Sequence, residues 1–465
     1  RGSMMTTSNL DSAPADTTSI RVRLRQPAKL RNLELVLVLV ACAINGGTMA
    51  LVQLGALGTV DTGAIIVGGL LAVLVLAMHV VLRVVAPQAD PFILPIVTVL
   101  NGLGIAQIYR IDLAEGLSGW EAAGIRQIAW TGLAIAAAIG VIIVIRNHRV
   151  LQRYRFISMF AGIVLLLLPM LPIIGHSVYG AQIWIRVGSF TFQPGELAKI
   201  ALAIFFAAYL VESRDSLSMV GTKILGMRFP RARDLGPILL IWAAAMAVLI
   251  FQRDLGTSLL YFGLFLVMIY VATGRASWVL MGLGLFVGGA VLAGTALGYV
   301  AGRFRGWLDP FNPEVYDSIG GSYQLVQGLF GIANGGLLGT GLGLGRPDLV
   351  PLAQSDYIIA SLTEELGLTG LFAILALYLL FVSRGFRIGF AGQDDFGRLL
   401  GVGLSFVVAL QVFIVVGGVT RVIPLTGLTA PFLAAGGSSL IANWIIAAIL
   451  LRLSDTIRNQ SRLVV

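Results

Sequence analysis

The sequence predicts an all-α polytopic membrane protein of about twelve transmembrane helices, and three observations carry that prediction. Apolar residue types fill 57% of the 465 positions and charged types only 12%, a balance foreign to ordinary soluble domains. Apolar runs of roughly twenty residues, the length that crosses a bilayer's hydrocarbon core, follow one another along the chain. Fifty-seven glycines and sixteen prolines suit helices that pack closely and break locally inside a membrane.

Taken in order, Arg1 to Met4 read as an expression remnant ahead of a second methionine, and a polar stretch to about Ile20 has a disordered composition. Arg21, Arg23, Arg25, Lys29 and Arg31 follow. With no cleavage site after the next apolar run, residues 1–32 read as a cytoplasmic basic tail held on anionic lipid rather than as a nucleic-acid-binding arm. Runs at 33–54 and 64–86 form a first pair of spans within residues 33–88. A second unit, 89–455, holds runs at 91–109, 125–145, 154–174, 194–211, 235–252, 256–273, 277–299, 356–383, 399–419 and 435–452, and a tail covers 456–465. The single cysteine, Cys42, excludes a disulfide framework. His79, His148 and His176 are too scattered for a metal-ligand motif.

With the amino terminus inside, alternate connections carry Arg146 to Arg155, Arg214 to Arg233, Arg384 to Arg398 and Arg452 to Arg462, as the positive-inside rule requires. Nine basic residues run against it: Arg110, Arg126, Arg186, Lys199, Arg253, Arg303, Arg305, Arg346 and Arg421. They either pair with neighbouring acids such as Asp309, Glu314 and Asp348, or converge on an anionic group at the outer leaflet, where guanidinium forks suit phosphate oxygens. Two outward connections, 175–193 and 300–355, are long enough to expect function from them.

A carboxylate at membrane depth is costly unless it is paired or wet. On a continuous helix Asp356, Thr363 and Glu364 would share a stripe, with Glu364 about 12 Å further along. Glu196 and Lys199 at i, i+3 share a face and can pair, and Asp254 sits where a helix cap and a site role compete. The glycines from Gly339 to Gly345 lack the lysine and strand–helix setting of a phosphate loop, so no nucleotide is expected. A transporter would spread ionisable groups along a path. An enzyme acting on a lipid-linked phosphate would gather them at one leaflet, cations for the leaving group and a carboxylate for the attacking hydroxyl. The acids lie near outer helix ends, which favours the enzyme.

These residues carry a resemblance. Gly180-Ala-Gln-x-Trp184, Phe192-Gln-Pro-Gly-Glu-Leu-Ala-Lys199, Gln252-x-Asp-Leu-Gly-Thr-Ser258, Asp309-Pro310 through Gly321-x-Tyr-Gln324, Gly335-Gly-Leu-x-Gly-x-Gly341, Ser355-Asp-Tyr357 with Glu364-Glu-Leu-Gly367, and Pro431 through Gly436-Gly-Ser-Ser439 stand in the order of the SEDS family (shape, elongation, division and sporulation), which includes the RodA and FtsW proteins. Over about 90–452 the chain resembles that family's ten-span core, with spans one and two added in front. It departs from the family's usual wording at Leu352 to Ser355, Ile183, Arg253 and Ala434-Ala435.

The resemblance implies a peptidoglycan glycosyltransferase of the bacterial cytoplasmic membrane. It would polymerise lipid II into β-1,4 glycan at the outer face, for elongation and cell shape, beside a class B penicillin-binding protein. Asp356 matches the family's catalytic aspartate and would act as general base. Arg186, Lys199, Arg303 and Arg305 are the candidates for the pyrophosphate, with Glu196 positioning Lys199. Asp254 and Glu364 would be supporting residues, and a divalent cation, magnesium or manganese, could share the load. The growing lipid-linked strand and membrane lipid are further expected partners, nucleic acid is not, and a lipid II flippase is the alternative reading.

Overall fold

The computed structural model describes residues 27–178, 181–188, 190–218, 223–224, 227–228, 243, 246–247, 250–318 and 321–463. Among them, ten helices are long and apolar enough to cross a membrane. They are α1 (Pro27–Leu57), α2 (Thr62–Val85), α3 (Ile93–Glu115), α4 (Ala123–Val144), α7 (Pro194–Ser218), α8 (Leu255–Thr273), α9 (Ala276–Ala296), α13 (Ile358–Ala391), α14 (Asp395–Val419) and α15 (Gly437–Leu463). Short helices α5 (Arg149–Arg153), α6 (Arg155–Leu167), α10 (Gly298–Leu308), α11 (Pro313–Tyr316) and α12 (Tyr323–Gly335) lie between them. The fold is all-α and polytopic, as the composition predicts.

One expected span is shorter than the others, and another lies mostly outside the described residues. The run at 154–174 makes α6 and then a 3-10 turn, Leu168–Met170. Arg155–Met170 is shorter than the ten, and after the proline at position 169, which supplies no amide hydrogen, the chain passes into a strand. The run at 235–252 falls mostly outside the described residues, as do the basic positions at Arg231 and Arg233.

Both long connections contain regular structure. Three strands, β1 (Gly175–Val178), β2 (Ala181–Val187) and β3 (Phe190–Phe192), form an antiparallel sheet, with Gly175 opposite Ile185 and Arg186 opposite Thr191. The connection at 300–355 folds into α10, α11 and α12.

Helices α3 and α15 are almost wholly enclosed, whereas α9 is almost wholly exposed. Helix α15 packs on α4, α14 on α8 and α13, and α1 on α3. Phe381, Phe432 and Trp444 meet edge to face in the core. Such offset aromatic contacts each add about 1 kcal/mol beyond burial.

The first helix pair is tied into the core by buried ionic groups. Arg31 lies 2.6 Å from Glu34, and His79 Nδ1 lies 2.7 Å from the other oxygen of that glutamate. Arg31 also donates to the Ala89 carbonyl. Arg458 reaches Asp90 at 2.9 Å and Arg452 donates to the Val85 carbonyl at 2.8 Å, joining α15 to the same corner.

Candidate active site

Asp356 is not on the helix stripe that the sequence suggests. It lies in the turn before α13, which begins at Ile358, so its carboxylate is free of the direction that a helix would impose on Glu364. Neighbours on both sides pin the turn. Ala435 N–H donates to the Gln354 carbonyl at 2.8 Å. Tyr357 is fully buried, its ring packed so closely on Gly328 of α12 that a Cβ there would come within 2.6 Å. Gln324 of the same helix donates to the Pro351 carbonyl at 2.7 Å.

The Asp356 carboxylate faces the connection 424–430, where a Cβ on Gly427 would stand 3.6 Å from Oδ2. Part of its surface stays open, although protein surrounds it on most sides. Burial pushes its pKa up to about 6, and the Asp254 charge adds to the rise, while Arg303 and the Ser355 hydrogen bond oppose it. A carboxyl tuned towards neutrality suits proton abstraction.

Arg303, on α10, donates to the Leu425 carbonyl at 2.8 Å, which places its cation against the loop that Asp356 faces. Arg421 grips the same helix from the other side. It adopts φ 62 and donates to the Trp307 and Leu308 carbonyls at 2.9 Å each, while the Trp307 indole returns a bond to the Arg421 carbonyl. Those carbonyls are orphans at the end of α10, so the arginine caps it.

Asp254 caps α8, its Oδ1 accepting from Thr257 N–H at 2.9 Å, as a side chain at this position does to satisfy a free amide. Burial raises its pKa, the Thr257 bonds lower it, the Glu196 charge raises it and the Arg303 charge lowers it. Asp254 thus links Asp356 to the third group. There Lys199 lies 2.5 Å from Glu196 and also meets Gln411 at 3.0 Å and Asn443 at 3.4 Å, all four side chains being buried. The i, i+3 pair forms as expected. Gln411 and Asn443 escaped the sequence reading, although a lone amide in an apolar helix is itself a signal of polar function. Gln127 is a third such residue, bridging the Ala434 carbonyl at 3.1 Å and the Gly436 amide at 3.2 Å.

The nine basic residues do not all converge. Arg110 pairs with Glu365 at 3.2 Å and donates to the Gly345 carbonyl at 2.7 Å. Arg346 forks onto Asp348, whose pKa that hydrogen bond holds low. Arg421 caps α10, and Arg253 stands over the Tyr299 ring at 5.7 Å. Arg126 acts on Asp112. Arg186 is exposed on β2 and Arg305 is exposed near the end of α10. Glu364 turns from Asp356 towards α12, accepting from Asn334 at 3.0 Å. No group of three His, Cys, Asp or Glu residues that could hold a metal occurs among the described residues.

A lysine–glutamate pair buried among long apolar helices, with a half-open aspartate and an arginine at the connection 424–430, defines a polytopic membrane protein with polar, anion-compatible groups. The chain belongs to the FtsW/RodA/SpoVE family of cell cycle proteins, whose pattern it matches over residues 88–459. It is 45% identical to peptidoglycan glycosyltransferase RodA of Mycobacterium tuberculosis over 435 residues, 93% of this chain and 92% of that protein. It is 34% identical to stage V sporulation protein E of Bacillus subtilis, covering 71% of this chain and 86% of that one. Among solved structures, it resembles a chain from work on how a peptidoglycan synthase complex coordinates polymerization and crosslinking, with TM-score 0.62, 25% identity, and coverage of 80% and 99%. Rod shape determining protein RodA of Thermus thermophilus shares the fold, with TM-score 0.55, 23% identity, and coverage of 79% and 96%.

Proposed function

We propose that Asp356 is the general base of a peptidoglycan glycosyltransferase. The activity follows from family membership and from relatives that carry that name over nearly the whole chain. The observation that carries the residue is the Asp356 carboxyl, half open and raised to about 6, opposite a loop that also holds the Arg303 cation. In the reaction, Asp356 takes the proton of the acceptor sugar's 4-hydroxyl as that oxygen attacks C1 of the lipid II donor. The O4–C1 bond forms as the C1–O bond to undecaprenyl pyrophosphate breaks, and the pyrophosphate keeps the electron pair. One displacement inverts the anomeric centre and gives a β-1,4 link from an α-linked donor.

Arg303 is the first candidate for the leaving pyrophosphate, with the exposed Arg186 and Arg305 as outer contacts. Glu196 holds Lys199 in place, and Asp254 orders the space between that pair and the base. A divalent cation would enter on the pyrophosphate, since magnesium commonly relies on one or two carboxylates and substrate phosphate oxygens rather than on a protein cage. The positive-inside pattern supports a site on the outer face of the cytoplasmic membrane. The likeness to a chain of a peptidoglycan synthase complex supports a cross-linking partner of the class B penicillin-binding type. The RodA relatives support a role in elongation and cell shape, and none of the relatives' names supports a flippase.

The test is polymerisation of purified lipid II by this protein alone and with a transpeptidase partner, each with and without magnesium or manganese. Glycan polymer from the wild type and none from Asp356→Ala supports the reading. Polymer at the wild-type rate from that variant overturns the base assignment.

A further inference from the structure

Helices α1 and α2 precede the matched family stretch, which begins at residue 88, and the reaction above leaves them without a task. The end of α1 touches the glycine-rich loop. A Cβ on Gly343 would come within 2.5 Å of the Val52 carbonyl oxygen and 2.8 Å of the Ala56 amide, and one on Gly55 would run into the Leu342 carbonyl. Only bare backbone on both sides permits this approach. Two residues before Gly55 on α1, the buried Gln53 side chain reaches the Tyr109 hydroxyl at 3.2 Å, beside Arg110 in sequence.

On its opposite side the same loop repairs a break in α13. Gly367 takes φ 70 and ψ −176, a conformation open to glycine, and the break strands helical carbonyls that a membrane protein must satisfy internally. Thr340 N–H donates to the Glu364 carbonyl and Gly341 N–H to the Glu365 carbonyl, at 3.0 Å each. Leu368 N–H returns to the Gly336 carbonyl at 3.0 Å. The Glu365 side chain accepts from Gly343 N–H at 2.9 Å and pairs with Arg110, which also holds the Gly345 carbonyl. The half-helix so repaired, Ile358 to Leu366, begins two residues after Asp356.

We infer that α1 is a backstop for the glycine-rich loop, and that Gly55 is a positioning residue: it presses the loop onto the α13 break and thereby fixes the half-helix that sets the attitude of Asp356. The inference deepens the proposed function and rests on it for its catalytic consequence, while the structural link stands on the contacts alone.

Gly55→Ala tests it, with Gly47→Ala as control. Both substitutions favour an α-helix, and Gly47 is exposed with nothing near its absent Cβ, so a defect confined to Gly55→Ala comes from the loop contact. In Gly55→Ala, amide hydrogen exchange across residues 340–345 is expected to quicken by about tenfold or more relative to the control. Polymerisation turnover is expected to fall by roughly tenfold or more, with the KM for lipid II within about twofold. Exchange and turnover both equal to those of Gly47→Ala overturn the inference, as does faster exchange with unchanged turnover. Should Gly55→Ala fail to fold, Gln53→Leu replaces it: the same loosening and loss of turnover support the backstop, and wild-type values on both overturn it. Wild-type protein that makes no polymer even with the transpeptidase partner and a divalent cation refutes the glycosyltransferase reading, and the exchange contrast then still decides the link between α1 and the loop.

Discussion

Lys199 Nζ lies 2.5 Å from Glu196 Oε2, with both side chains buried among apolar helices and with Gln411 and Asn443 as further acceptors on the lysine. The two partners are therefore unequal. Lys199→Met strands a buried carboxylate and should cost about 3–5 kcal/mol, whereas Glu196→Gln leaves the ammonium with Gln411 and Asn443 and should cost less. Thermal denaturation in detergent checks this, with the double variant expected to be more stable than Lys199→Met alone. Additive losses would show that the pair is not coupled.

Asp356→Asn keeps the shape of the side chain and removes the proposed base. Glycan polymerisation should fall by about 10²–10⁴-fold, while the protein elutes and melts as a folded species. A reduction of less than about tenfold would move the base role to another residue.

The raised pKa of Asp356, about 6 by burial and the Asp254 charge, sets a pH dependence. The catalytic form is the carboxylate, so kcat/KM should climb through an acid limb near that value. Asp254→Asn removes a like charge and should move the limb to lower pH. Arg303→Gln removes an opposing cation and should move it to higher pH. Unmoved limbs in both variants would show that Asp356 does not govern the profile.

Stability carries the opposite sign. Between the ordinary carboxylate range and about 6, folded Asp356 holds a proton that the unfolded chain has released. Its contribution therefore falls as pH rises through that window. Asp356→Asn should abolish this fall, so the variant gains on the wild type in chemical denaturation as pH rises from about 4 to about 7.

Arg421→Ala frees the Trp307 and Leu308 carbonyls and should release the end of α10. Amides at 300–308 should exchange faster, and the KM for the lipid-linked donor should rise several-fold because Arg303 rides on that helix. Unchanged exchange would show that Arg303, through Leu425, holds α10 without help.

The Glu196–Lys199 pair was legible because i, i+3 spacing on a helix puts two side chains on one face whatever surrounds them. Asp254 was legible as a cap for the same local reason. The proposed stripe of Asp356 with Glu364 was not, because it assumed one helix through both. Tyr357 packs on Gly328 and the chain turns before Ile358, so the two acids look to different neighbours. Partners distant in sequence, such as Arg110 for Glu365 and Gln411 for Lys199, could not be assigned from spacing.

The amino-acid sequence by itself determined the membrane class, the positions of ten of the spans, and the short-range devices, because hydrophobic length and helical periodicity are local properties. Only the tertiary structure decided which cations are taken up by partners in the scaffold, and that the first helix touches the glycine-rich loop. Those outcomes depend on contacts between residues hundreds of positions apart, at distances set by packing. The aspartate that the sequence singled out as costly sits, in the folded chain, in a turn whose attitude is set by those contacts.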